Sequence, residues 1–169
     1  ALGSCRFICS DKTGTLTQDE QCVTQLQTGG ERLTVSGSGY SPEGEVLRDG
    51  KPLGELSVPL RRMMQVARHC VDVTIDEEEM SGDPLERALV VFAWKGGVFE
   101  ESVERTAIKP FESSNRYMAV TVDSPAGSSW LFVKGAHEVI EKMCKAQLGA
   151  DGLDVGRDER HELEPLGAG

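Results

Sequence analysis

Asp11 stands in a run, Ser10-Asp11-Lys12-Thr13-Gly14-Thr15-Leu16-Thr17, whose residue types suit phosphoryl transfer. A carboxylate can attack phosphorus and form an acyl phosphate. Lys12 supplies a point charge, while Thr13, Gly14 and Thr15 supply hydroxyls and a closely approaching backbone for phosphate oxygens. The preceding Cys5-Arg6-Phe7-Ile8-Cys9 has the apolar character of a buried parallel strand. That places Asp11 where a strand gives way to a loop, the usual seat of chemistry in an open α/β sheet. Enzymes that hydrolyse such an intermediate at once commonly carry a second Asp two residues on, as acid and base. Thr13 occupies that position, so the phosphoaspartate is expected to persist.

A second group of residues suits a nucleotide. Pro110-Phe111-Glu112-Ser113-Ser114-Asn115-Arg116 offers an aromatic face near a cation, so that Phe111 can stack on a base and Arg116 can meet phosphate. By itself, Phe111 reads equally as a core residue. Phe132-Val133-Lys134-Gly135-Ala136-His137-Glu138 reads as a strand-to-helix turn, in which Gly135 also admits a planar base close to the backbone and Lys134 lies alongside it. In Gly82-Asp83-Pro84-Leu85-Glu86, helix capping explains Asp83 and Pro84 by itself, which leaves Glu86 for a ligand.

The elements that must position these groups follow from periodicity and turn signals. Strands are predicted over 21–28 and 32–38, joined by Gly29-Gly30, and a short one over 45–47 before Asp49-Gly50. Residues 56–71 carry helical spacing, with Leu60, Met63, Met64, Ala67 and Val71 on one face. The acidic run 76–79 is expected to be a solvated loop, with metal binding as the alternative. A helix starts at Asp83, with Glu86 completing a variant of the capping box and Leu85, Ala88, Leu89, Phe92 and Ala93 inward, and stops at Gly96-Gly97. A short helix is expected over 98–105, strands over 106–110, 118–123 and 129–133, and a helix over 135–147 with Val139, Ile140 and Met143 inward. The tail over 148–169 is polar, Gly-rich and weakly periodic. The sum is an α+β fold, an antiparallel β-sheet flanked by helices, led by an orphan strand and loop.

Composition narrows the function classes. A net charge of −10 over 169 residues speaks against nucleic acid or an anionic membrane surface as partner. The longest apolar run, 88–94, is too short to cross a bilayer. The five cysteines form no Cys-x-x-Cys pair, so neither a disulfide scaffold nor a structural zinc site is expected, and His69-Cys70 reads as ordinary helix.

The Asp11 run resembles the phosphorylation motif of P-type cation-transporting ATPases. Phe111 to Arg116 resembles that family's adenine-stacking segment, with Asn115-Arg116-Tyr117 closer to the sodium-pump form. Lys134-Gly135-Ala136-His137-Glu138 is similar to its Lys-Gly-Ala-Pro-Glu motif, with His137 in place of Pro, and 82–86 to its segment facing the adenine pocket, with Leu85 where Thr is common. The loop over 39–45 resembles one frequent in the calcium-pump-like branch, and the His-Pro motif of the heavy-metal branch is absent.

The resemblance implies a parent protein that is an ATP-driven cation pump of the calcium- or sodium-pump-like branch, cycling through phospho-Asp11 with ATP and Mg2+. Residues 1–20 would begin the phosphorylation domain, and 21–169 would be a C-terminally truncated nucleotide-binding domain. It implies catalytic roles for Asp11, Lys12 and Thr13, with Asp11 and Thr13 also on the metal, and nucleotide binding by Glu86, Phe111, Arg116, Lys134 and Gly135. The magnesium motif Gly-Asp-Gly-x-Asn-Asp does not occur here. The implied partners are therefore ATP, the rest of its own pump chain and a transported cation. The domain would be a soluble, cytoplasmic part of an integral membrane protein that binds ATP without turnover. Two alternatives stand beside this one: a soluble phosphatase or phosphotransferase with an inserted cap, and a non-catalytic nucleotide-sensing module.

Overall fold

The computed structural model describes residues 20–76, 79–99, 103–149, 151–152 and 154–156. Strands β1 (Gln25–Thr28) and β2 (Glu31–Val35) pair as the expected hairpin, Leu26 opposite Leu33. Gly29 and Gly30 take φ of 56° and 81°, the two left-handed residues that a tight hairpin turn demands. β3 (Val46–Arg48) returns along β2, and β4 (Lys51–Pro52) returns along β3. Helix α1 (Val58–His69) follows, then the hairpin of β5 (Thr74–Asp76) and β6 (Glu79–Ser81), then helix α2 (Pro84–Lys95). A meander of β7 (Glu104–Glu112), β8 (Tyr117–Asp123) and β9 (Ser129–Gly135) leads to α3 (His137–Met143), and β10 (Ala146–Leu148) pairs with β11 (Asp154–Gly156). Every pairing among the described residues is antiparallel, and the fold is α+β as the sequence predicts.

Helix α1 is buried on two faces, which decides the architecture. Leu60, Met64 and Ala67, at intervals of four and three, meet Leu26, Leu33, Val35 and Val46 from the first sheet together with Phe92 and Ala93 of α2. Val66 and the C-cap residue Cys70 turn to Met118, Val120, Val122 and Phe132 of the meander. Strand β8 alternates cleanly, with Met118, Val120 and Val122 buried and Tyr117, Ala119 and Thr121 half-buried. Apolar surface removed from water on both sides of α1 thus joins the two larger sheets.

Several expectations are corrected. No helix occupies the described part of 98–105. Val98 is buried and donates its N–H to the Ala93 carbonyl at 3.0 Å, and Glu104 already pairs with Asp123 in β7. The helix expected over 135–147 is shorter, because Gly135 stays in the ladder opposite Tyr117 and Cys144 turns extended. Val139 and Ile140 are only half-buried and Met143 is exposed, so α3 has no buried face. The two ends of the acidic run, Asp76 and Glu79, are strand residues paired with each other, while 77–78 lie outside the described residues. In α2, Leu85 is exposed, while Val90 and Val91 join the buried set.

Leu60 has no exposed surface and touches the shared core, so Leu60→Ala is expected to lower unfolding stability by roughly 2–5 kcal/mol. Urea denaturation followed by far-UV circular dichroism measures it. A loss well under 1 kcal/mol would show that α1 does not carry the core.

Candidate functional site

The site begins with a bulge. Lys109 pairs with Ala119 and Glu112 with Tyr117, so Pro110 and Phe111 together stand opposite the single residue Met118. Pro110 brings no N–H to a ladder, which is tolerated on β7 because that strand is an edge of its sheet. A bulge re-aims the side chains it carries, and Phe111 stands 56% exposed. One strand further, Met118 pairs with Lys134. Phe111, Met118 and Lys134 therefore form one row across three strands, with Phe111 exposed, Met118 in the core and Lys134 mostly buried.

Lys134 reaches from this row to α2, where its Nζ pairs with Glu86. The side chains are only 19% and 12% exposed, so the pair is largely withdrawn from water. The second Glu86 oxygen accepts the Asp72 main-chain N–H at 2.8 Å, directly beyond the end of α1. Glu86 thus does not close a capping box. Asp83 caps α2 alone, accepting the Leu85 N–H at 2.9 Å, and the carboxylate of Glu86 turns to the stronger charge-assisted partner. The helix start is held from the other side as well: the Tyr40 hydroxyl donates to the Pro84 carbonyl at 3.4 Å, and the Arg87 guanidinium lies 4.3 Å from the Tyr40 ring centroid.

Gly135 owes its identity to space. A Cβ there would lie 2.4 Å from the Arg116 carbonyl oxygen and 2.7 Å from the Tyr117 Cβ, both far inside contact distance. Arg116 itself takes a left-handed φ of 57°. Its N–H donates to the Glu112 carbonyl at 2.7 Å, and its carbonyl accepts the Ala136 N–H at 3.0 Å, which stitches the β7–β8 turn to the start of α3. The Arg116 guanidinium meets the Glu138 carboxylate at 2.5 Å on the surface. The hydrogen bond from its own main-chain N–H, and then Arg116, hold the Glu138 carboxyl below the usual carboxylate range.

Beneath the row lies Cys70. Its thiol points at the Met118 and Phe132 carbonyls, both at 3.6 Å, and burial pushes its pKa up against the opposing charge of Lys134. His69 stacks on Phe132, with centroids 6.3 Å apart.

The structure therefore brings Glu86 and Lys134 into contact, sets Gly135 against Arg116, and places Phe111 in the Lys134 row. Asp11, Lys12 and Thr13 lie outside the described residues. Cys70, Asp72 and Glu138 are neighbours that the sequence reading did not assign to the site. Only Glu138 lies in a motif singled out there, while Cys70 carried no more signal than its helical spacing from Val66. Among the described residues, no cluster of His, Cys, Asp and Glu can hold a metal ion. No described helix is long and apolar enough to cross a membrane. A cavity of about 350 Å³ opens between Arg68, His69, Val71 and Arg105, and none of the five candidate residues lines it. The candidate site instead comprises an exposed Phe111 ring and two cations, Arg116 at the surface and Lys134 mostly buried, each paired with a carboxylate.

The family described as "P-type ATPase, cytoplasmic domain N" matches residues 60–164, which include all five of these positions. Calcium-transporting ATPase type 2C member 1 of Bos taurus is 39% identical over 187 aligned positions, covering 91% of this chain and 19% of its own. The calcium-transporting ATPase of Bacillus subtilis is 36% identical over 151 positions, 82% of this chain and 17% of its own. Cation-transporting ATPase pma1 of Synechocystis is 35% identical over 178 positions, 97% of this chain and 19% of its own. The chain spans about a fifth of the length of these relatives.

Two outcomes follow from the geometry. Gly135→Ala is expected to destabilise the fold by roughly 1–3 kcal/mol in urea titration, because the added methyl displaces the Arg116–Tyr117 backbone. Stability equal to the unaltered chain would refute the close approach. At pH 8, iodoacetamide is expected to label the exposed Cys22 and Cys144 long before Cys70, which should react only after denaturant is added. The sign is that of a raised folded pKa. The folded state keeps its thiol proton, so stability is constant below the unfolded value of about 8.5 and falls as pH rises past it. Early labelling of Cys70 in peptide mass mapping would contradict its burial.

Proposed function

The chain belongs to the P-type cation-transporting ATPases, and we propose that it serves as the ATP-binding cytoplasmic part of a pump that cycles through an aspartyl phosphate. The observation that carries this reading is the row of Phe111, Met118 and Lys134, with Glu86 at one end and Arg116 beside it. The Phe111 face takes adenine by stacking. Glu86 supplies an acceptor for the amino group of the base, Lys134 lies along the nucleotide, and the flush backbone at Gly135 lets the base approach. Arg116 meets the phosphates as a planar, permanently charged fork.

In this reading residues 1–20 open the phosphorylation domain and 21–169 form the nucleotide-binding domain. The Asp11 carboxylate bonds to the terminal phosphorus as the bond to the leaving ADP breaks, and Lys12 and Thr13 hold phosphate oxygens. Mg2+, with Asp11 and Thr13 as ligands from this chain, would neutralise phosphate charge. The remaining catalytic groups belong to the rest of the pump chain, and the ion path to its membrane part. The cation named for most of the relatives is calcium, and we carry that ion to the parent of this chain. The family match leaves no feature favouring a phosphatase with an inserted cap or a non-catalytic nucleotide sensor.

The test is an ATP titration of the 169-residue chain followed by amide chemical shifts, with Phe111→Ala alongside. Shifts are expected at Phe111, Arg116 and 134–136, with a Kd on the order of 0.1–1 mM, about −4 to −5.5 kcal/mol, and negligible turnover. Phe111→Ala should abolish them. Absence of shifts at about 10 mM ATP, where a site of that strength is nearly full, would overturn the reading.

A further inference from the structure

The main chain of Arg116 is fixed from both sides, by its own N–H on Glu112 and by Ala136 on its carbonyl, with φ held at 57°. Its Cα therefore cannot drift, and only the side chain is free to choose a partner. In this structure the chosen partner is Glu138, at 2.5 Å. Among the described residues Arg116 is the one ion-pair partner of Glu138, and Glu112, at the end of β7, is engaged by the Asn115 amide and by Lys109 at 3.8 Å. Lys134 repeats the pattern with Glu86. Each cation that would meet a nucleotide is thus already neutralised by a carboxylate of this chain, but the two pairs differ in kind. The Lys134–Glu86 pair is withdrawn from water and tied to Asp72, whereas the Arg116–Glu138 pair is half-exposed on both sides and cheap to open.

We propose that Glu138 is an internal competitor for the nucleotide phosphates: it occupies Arg116 in the empty site, is displaced when a phosphate chain arrives, and so weakens phosphate-bearing ligands selectively against the bare nucleoside. The inference rests on the nucleotide reading of the site. Opening the pair frees the guanidinium for bidentate contact with phosphate oxygens, and leaves a carboxylate near a polyanion of the same sign. A nucleoside stacks on Phe111 without needing Arg116, and does not meet this competition. The consequence is a site held at modest ATP affinity, in which nucleotide leaves as readily as it enters.

The experiment titrates ATP and adenosine separately into the unaltered chain, Glu138→Gln and Glu141→Gln, with amide shifts as readout near 0.15 M salt. Glu141 is an exposed acid on the same short helix, and its neutralisation controls for net charge. Glu138→Gln is expected to tighten ATP roughly two- to fivefold, the range open to an exposed ion pair, and to leave adenosine unchanged. Glu141→Gln removes the same charge one helical turn away without freeing Arg116, so it should tighten ATP clearly less than Glu138→Gln and leave adenosine unchanged. Equal tightening of ATP and adenosine, equal effects of the two variants, or no effect of Glu138→Gln each overturns the proposal while the nucleotide site stands. Failure of the unaltered chain to bind either ligand removes the nucleotide reading and this inference with it. A second measurement needs no variant. The Glu138 side-chain carboxyl signal, titrated with acid, should show its depressed pKa return toward the ordinary carboxylate value when ATP is present, and an unchanged value means that Arg116 never leaves.

Discussion

The two-sided burial of α1 is the constraint on which the rest of this structure depends. A helix with one apolar stripe settles on one sheet and leaves its other side to water. Here Leu60, Met64 and Ala67 close the core with β1–β3 and α2, while Val66 and Cys70 close a second core with the meander. The helix is therefore a rigid spacer that fixes how far α2 stands from β9. That distance is what a charged pair reads out: Glu86 on α2 and Lys134 on β9 meet at its end, and the first residues past α1 supply the Asp72 N–H that completes the Glu86 carboxylate. Apolar packing thus sets the geometry of a polar site, because a close-packed core resists displacement and does not depend on salt.

The Lys134–Glu86 pair connects residues 48 apart in sequence and is mostly buried. Withdrawing two charges from water costs more than many such pairs return, so a retained pair of this kind calls for a reason beyond stability. The geometry offers one. The pair ties β9 to α2, and with the Asp72 N–H on the other Glu86 oxygen it fixes both against the end of α1. The thiol of Cys70 beneath adds a small, uncharged filler where a longer side chain would push the Met118 and Phe132 carbonyls apart.

Much of this was legible in the sequence, and the exceptions are physical. The hairpin at Gly29-Gly30, the α2 start at Asp83-Pro84 and the β8–β9 turn rest on local chemistry, and local chemistry is what a sequence displays. The one-sided reading of α1 missed Val66 and Cys70 because a period of 3.6 finds the strongest face and treats the remainder as background. In the described part of 98–105 the expected helix gives way because long-range pairing of Glu104 with Asp123 overrides a mild local preference. Likewise β10 and β11 are three residues each and gain their order from one another, which no window of that length can show. At the site, the motifs located Phe111, Arg116, Lys134 and Gly135, but not the bulge that aligns the first with the third. A bulge is a property of two strands in register, and Pro110 is its only local sign.

Arg116 shows how the remaining strain is distributed. A left-handed residue with a side chain costs about 1–2 kcal/mol, and Asn115, one position earlier, is of the type best suited to bear it. The turn nevertheless puts the left-handed geometry on the arginine. It persists because the hydrogen bonds to Glu112 and from Ala136 over-determine the backbone, and because Gly135 lets the neighbouring strand press flush against it. With the backbone so held, the Arg116 side chain meets Glu138 of α3. The strained position is thus the one that aims a guanidinium along the end of the sheet, and the glycine beside it is needed for that aim as much as for any ligand.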